Sequence, residues 1–202
     1  MAPTFPDLAR DVEQSDPRLG AARLVVVDGP AGSGKTTFAG RLAECLTAQV
    51  VHMDDLYEGW SGLDDAVWER LHAGVLGPLS IGSPGCYRRY DWEAGRFAEE
   101  VVVPVTPALV IEGVGAGALR TDSFASLRVW VEASEPVRLE RGIARDGDAL
   151  RSEWLRWVAV EARHFATDGT RARADLVIDG ESGGGTDCDL RTYAVLADRR
   201  RL

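Results

Sequence analysis

Lysine is nearly missing from this chain. Of the 23 lysines and arginines among 202 residues, one is a lysine, Lys35. A bias of this kind follows from a GC-rich coding sequence. A lysine kept against it marks a place where a planar, wider guanidinium cannot stand in for a compact ammonium. Cysteine is scarce too. Cys45, Cys86 and Cys188 are widely spaced and form no CxxC pair. That excludes a disulfide framework and a zinc site, and implies reduced thiols in a cytoplasm. His52, His72 and His164 show no metal-ligand spacing. Positive charge is in deficit, the formal net charge being −9. A nucleic-acid binder needs a basic stripe to displace counterions, so that class is set aside. An anionic small ligand in a locally positive pocket is not. No apolar run approaches the ~18 residues of a membrane span. The N-terminus carries Asp7 and Asp11 and lacks the apolar core of a signal peptide. The expectation is a cytoplasmic protein with no membrane partner and an open oligomeric state.

What is present describes an ordinary globular chain, 45% hydrophobic and 27% charged, long enough for one substantial core. Residues 1–22 read as an N-terminal arm broken by Pro3, Pro6 and Pro17, with room for a short helix around 7–14. Apolar strands are expected at RLVVVD (23–28), VVHM (50–53), ALVIEG (108–113), LRVWVEA (127–133) and ADLVIDG (174–180). Helical spacing is expected over 35–48, 63–76, 134–146 and about 152–165. Residues 77–92 are rich in Gly and Pro, and 181–189 read as a flexible linker to a short polar tail. The alternation predicts an α/β fold, a three-layer sandwich with about five mostly parallel strands and helices on both faces. The domain spans 23–180, with a helical lid at about 138–153, and 181–202 follows it. Ligands of such sheets bind at the carboxyl ends of the strands.

GPAGSGKT, Gly29 to Thr36, fits G-x-x-x-x-G-K-[ST] between a predicted strand and a predicted helix. Glycines let successive amides turn inward around a phosphate, and the helix start adds its positive dipole end. Gly29, Ala31, Gly32, Ser33, Gly34, Lys35, Thr36 and Thr37 form the expected ATP cradle. Lys35 would reach the β- and γ-phosphates, and the Thr36 hydroxyl would ligate Mg²⁺.

The loop names a nucleotide triphosphate, not a reaction. Asp54 closes the strand after the loop helix, where a carboxylate can orient an acceptor hydroxyl and take its proton. Asp55 reads as a bystander or a secondary metal ligand. Glu112 ends a strand of apolar residues, the Walker-B pattern of a second metal-shell residue. Arg138, Arg141 and Arg145 share one helix face and can neutralise the transferring phosphoryl group from a closing lid. The other reading pairs them with Glu135, Glu140 and Asp146.

These residues resemble the uridine kinase family of P-loop nucleoside kinases and its phosphoribulokinase relatives. The resemblance covers roughly residues 23–180. It rests on the loop, on Asp54-x-x-Tyr57, on Tyr90-Asp91, on Val110-Ile111-Glu112-Gly113, on Arg138, Arg141, Arg145 and Asp146, and on ADLVI at 174–178. It implies that Asp54 is the general base, that Tyr57 packs at the nucleoside, and that Tyr90 and Asp91 contact ribose hydroxyls. The chain departs from the family after Tyr90-Asp91, where YDWEAGRFAE stands. Arg88 and Arg89 precede that pair and can grip a phosphate or carboxylate on the acceptor. Alternatively they pair with Glu93 or Asp91. The expectation is an ATP- and Mg²⁺-dependent kinase acting on a small-molecule hydroxyl. The alternatives are a cytidylate-type monophosphate kinase, although no DTGAMYR-like segment follows the loop helix, and a nucleotide-binding regulator. A guanine-reading N-K-x-D element is ruled out, since Lys35 stands alone. Trp130, Trp154 and Trp157 read as packing residues. Trp60 and Trp92, in glycine-containing loops, are the candidates for stacking on a ring.

Overall fold

A computed structural model of the chain describes residues 2–61, 63–182 and 191–200. The strand β1 (Arg23–Asp28) shows why its apolar run is almost continuous. Leu24 and Val26 enter one core, while Val25 and Val27 enter the other. A strand covered on both faces has no side left for polar alternation. The helix α2 (Lys35–Leu46) follows the glycine turn and buries Phe38, Ala39, Leu42, Ala43 and Leu46 against the second core.

β2 (Gln49–His52), β5 (Ala108–Glu112), β6 (Ala125–Glu132) and β7 (Leu176–Asp179) complete a parallel set with β1. Among the described residues the sheet has six strands in the order β2-β5-β1-β6-β7-β8. The sixth, β8 (Ala194–Asp198), runs antiparallel to β7. It lies in the segment expected to be a polar tail. Its alternation is short, and the neighbour that pairs with it cannot be read locally. Of the expected linker, residues 183–189 lie outside the described residues, Cys188 among them.

The N-terminal arm also joins the fold. α1 (Phe5–Gln14) is capped by Thr4, whose side chain accepts from the Asp7 amide, and it buries Phe5, Leu8, Ala9 and Val12. Backbone bonds tie it to the other end of the chain. The Phe5 amide donates to the Arg191 carbonyl at 2.8 Å, and the Tyr193 amide to that of Pro3 at 3.2 Å.

On the first-core side, α3 (Asp65–Leu71) runs through a π turn (His72–Leu76) into α4 (Gly77–Ser80). The Gly/Pro-rich stretch beyond it holds a hairpin that its composition hides, β3 (Gly85–Asp91) and β4 (Arg96–Val103), with Tyr87 opposite Val101. The Asp91 carboxylate forms the turn by accepting from the Glu93 and Ala94 amides at 3.0 and 2.8 Å. After β6 come α5 (Glu135–Asp146), α6 (Arg151–Asp168) and α7 (Thr170–Arg173). α5 and α6 touch where a Cβ on Gly142 would meet the Trp154 ring at 2.4 Å.

Candidate active site

The carboxyl ends of β1, β2 and β5 meet at Asp28, His52 and Glu112, because Val27 and His52 both sit opposite Glu112 in the sheet register. A cleft of about 1150 Å³ opens there, between the glycine loop, the β3–β4 hairpin and helices α5 and α6.

The loop turns on Gly29, Gly32 and Gly34, whose φ values are 144°, 78° and 98°. Only glycine takes these without strain. Gly32 also lies so close to α5 that a Cβ would meet the Arg138 carbonyl at 2.5 Å. α2 begins after Gly34 with no side chain capping it. Its first amides are therefore left for an anion. Ala31, Gly32, Gly34, Lys35, Thr36 and Thr37 line the cleft; Gly29 and Ser33 do not. Lys35 is 6% exposed, and its Nζ donates to the Pro30 carbonyl at 3.0 Å.

Two buried carboxylates hold this loop, the strand-end Asp28 and Glu161, neither of them among the expected site residues. Asp28 accepts from the amides of Gly29, Gly115 and Gly117 at 2.7, 2.9 and 2.9 Å. Burial pushes its pKa up to about 6, against those bonds and the charge of Lys35. Glu161 accepts from the Ala31 amide at 2.8 Å and pairs with Arg138 at 2.9 Å, the two side chains being 2% and 12% exposed. Burial raises the Glu161 carboxyl also. Its signal in the sequence is a carboxylate on the buried stripe of α6, in line with Trp154 and Trp157. Arg138, expected at the nucleotide, therefore stands behind the loop. It bonds the Ala31 carbonyl and Glu161 and does not line the cleft.

Glu112 is 4% exposed and accepts from the Thr36 hydroxyl at 3.2 Å. His52 Nδ1 lies 2.6 Å from the same carboxylate oxygen, and that bond raises the histidine's pKa. Thr36 and Glu112 thus present hard oxygen donors beside the phosphate cradle. No cluster of three or more side-chain ligands exists among the described residues. That donor set fits Mg²⁺, which keeps waters and shares phosphate oxygens rather than filling an all-protein cage.

Asp54 lies in the short turn that follows β2, its exposed side chain opening into the cleft whose walls surround it. Its carboxyl is pushed up, by burial first and by the Glu112 carboxylate second, while Lys35, Arg145 and His52 pull it down. Arg145 faces it from α5 and is held by both oxygens of Asp146, at 2.8 and 3.0 Å. Arg141 also lines the cleft and bonds the carbonyls of Gly180 and Gly32 at 3.1 and 3.3 Å.

The expected acceptor residues separate. Tyr57 is 1% exposed, and its hydroxyl donates to the Val114 carbonyl, so it is a wall with no free donor. Tyr90 faces the cleft, and Asp91 lines it with its carboxylate held in the hairpin turn. Arg89 lines the cleft and pairs with Glu99, not with Glu93 or Asp91. Arg88 does not line it; its guanidinium bonds the carbonyls of Phe97 and Ala98 at 2.9 and 3.1 Å. The pairing of β3 with β4 slips register between Arg88 and Tyr90, and from Arg89 onward the strand end lines the cleft. Asp55 accepts from the Tyr87 hydroxyl at 2.9 Å and so fastens the hairpin. The tryptophans gather here. Trp60 packs edge-on against Trp92, Trp154 and Trp157 at centroid distances of 5.6, 6.3 and 6.2 Å. Trp154 and Trp157 line the cleft as well as filling the interior.

No family model matches the chain. In sequence it is similar to the uridine kinase of Borrelia duttonii, 23% identical over 82% of this chain and 89% of that one. It is also similar to the shikimate kinase of Corynebacterium diphtheriae, 36% identical over 57% of this chain and 61% of that one. Its fold matches that of a possible uridine kinase from Bacillus stearothermophilus with a TM-score of 0.63, at 21% identity, over 86% of this chain and 96% of the other. The fold is that of P-loop kinases, and the likeness to uridine kinases runs through most of the chain. Together these similarities support a P-loop kinase.

Proposed function

We propose that the protein transfers the γ-phosphoryl group of ATP to the hydroxyl of a small molecule, in the manner of a uridine kinase. The observation that supports this most is the meeting of Lys35, Thr36, Glu112 and Asp54 in one cleft at the strand ends. The loop amides and Lys35 hold the phosphates. Thr36 and Glu112 would hold Mg²⁺, which supplies charge neutralisation on the phosphate oxygens when bound. Asp54 orients the acceptor O–H and accepts its proton as the oxygen bonds to the γ-phosphorus and the bond to the bridging oxygen breaks, releasing ADP. Arg141 and Arg145 stabilise charge on the transferring group. Arg138 has a different part: through Glu161 it fixes the loop from behind.

ATP consumption measured against nucleosides, nucleotides and sugar or vitamin alcohols tests this reading. With an accepted alcohol, Asp54→Asn should lower kcat by about 10²–10⁴-fold. Full turnover in that variant would remove the base role.

A further inference from the structure

We propose that the acceptor side of the cleft takes an alcohol that carries a flat ring and no negative charge, and that it prefers a cationic ring to a neutral one. This rests on the kinase reading and specifies its acceptor.

The first ground is the aromatic wall. Trp60 and Trp92 are partly open to the cleft, backed by Trp154 and Trp157 and flanked by Tyr90, whose ring lies 5.5 Å from that of Trp92. A wall of electron-rich rings offers area and edge or face contacts to a flat ligand, and attracts a cation over its faces. The wall is also fixed relative to the reacting group, for the Trp92 indole donates to the Asp54 carbonyl at 3.0 Å. A ring seated on it is held at a set place beside Asp54.

The second ground is charge. Asp54, Asp55, Asp91 and Glu93 line this side, against Arg89 from the hairpin and Arg145 from α5, which lies over the Trp154 ring at 5.6 Å and is bound to Asp146. Arg89 is already paired with Glu99, and Arg88 bonds backbone carbonyls of β4. A phosphate or carboxylate on the acceptor would face these acids, with the two arginines of this side already paired to Glu99 and Asp146. An anion desolvated there loses more than it gains. The monophosphate acceptor of a cytidylate-type kinase is disfavoured for this reason.

Three alcohols of one shape and different charge test the proposal: meta-(hydroxymethyl)-N-methylpyridinium, meta-methylbenzyl alcohol and meta-(hydroxymethyl)benzoate. Binding to the full chain is followed by calorimetry, with quenching of tryptophan emission as a second signal. The cation should bind about tenfold or more tighter than the anion, with the neutral ring between them. Trp60→Leu should weaken the cation about fivefold or more while ATP binding stays unchanged. Trp92→Phe, a milder change, should show the same trend at smaller size. An anion bound as tightly as the cation, failure of all three to bind, or a cation indifferent to both variants overturns the proposal. ATP binding in the same preparations, and its weakening in Lys35→Met, reports separately on the kinase reading. If ATP binds and is turned over while the charge order is reversed, only this inference fails.

Discussion

The two sides of the cleft are made in opposite ways. The phosphate side is contiguous: eight residues, Gly29 to Thr36, turn the backbone toward the cleft and begin a helix. Its ligands are amides and one ammonium, set by three glycines in the left-handed region. The acceptor side is assembled from the turn after β2, the hairpin and α6, and its surface is side chains. A backbone cradle binds what every nucleoside triphosphate shares. A side-chain wall binds what distinguishes one alcohol from another.

If that contrast holds, damage to each side should be read on a different substrate. The largest effect belongs to the cradle. Lys35→Met should cost about 10²–10³-fold in kcat, by the same factor for every accepted alcohol. A loss that differs between alcohols would break the division. Next comes the support behind the loop. Glu161→Ala strands Arg138 and frees the Ala31 amide, and should destabilise the protein by about 3–5 kcal/mol in denaturant unfolding. Replacing both partners, Glu161→Leu with Arg138→Met, should recover most of that. Smaller still is the hairpin fastening. Tyr87→Phe removes one donor to Asp55, worth about 1 kcal/mol. It should raise the acceptor KM about fivefold and leave the KM for ATP alone. The smallest effect is on pH dependence. Asp54 works as an anion, and its raised pKa means that kcat/KM falls, as pH is lowered, at a higher pH than an ordinary carboxylate would give. Arg145 favours the anion, so Arg145→Met should move that limb higher again, and a downward move would contradict the arrangement.

The same contrast explains what could be read from the chain before folding. The loop, the parallel strands and the strand-end acids are local patterns, and β1, α2, β2 and β5 fall where their periodicity puts them. The roles of the arginines are not local. Arg88 and Arg89 are adjacent, yet one bonds β4 carbonyls and the other reaches the cleft, because the β3–β4 pairing slips register between Arg88 and Tyr90. Arg138 and Arg141 share a helix face, but only Arg138 meets a buried carboxylate, Glu161, that lies 23 residues away. Tyr57 fits its motif, while its hydroxyl is taken by a loop pinned to Asp28. The hairpin was hidden because Gly and Pro dominate the stretch before it, and β8 because its pairing partner, β7, is set by the sheet.

One bond described above bears on how the protein would choose among alcohols. The indole of Trp92 holds the carbonyl of Asp54, so the wall that greets the ligand and the residue that takes its proton cannot shift independently. An ill-fitting ring that displaces the hairpin would also misalign Asp54. Such a compound would occupy the cleft and act as an inhibitor that turns over slowly. Among rings of the same charge, discrimination would then be written in kcat more than in affinity, and a screen by binding alone would rank true and false substrates of that class together.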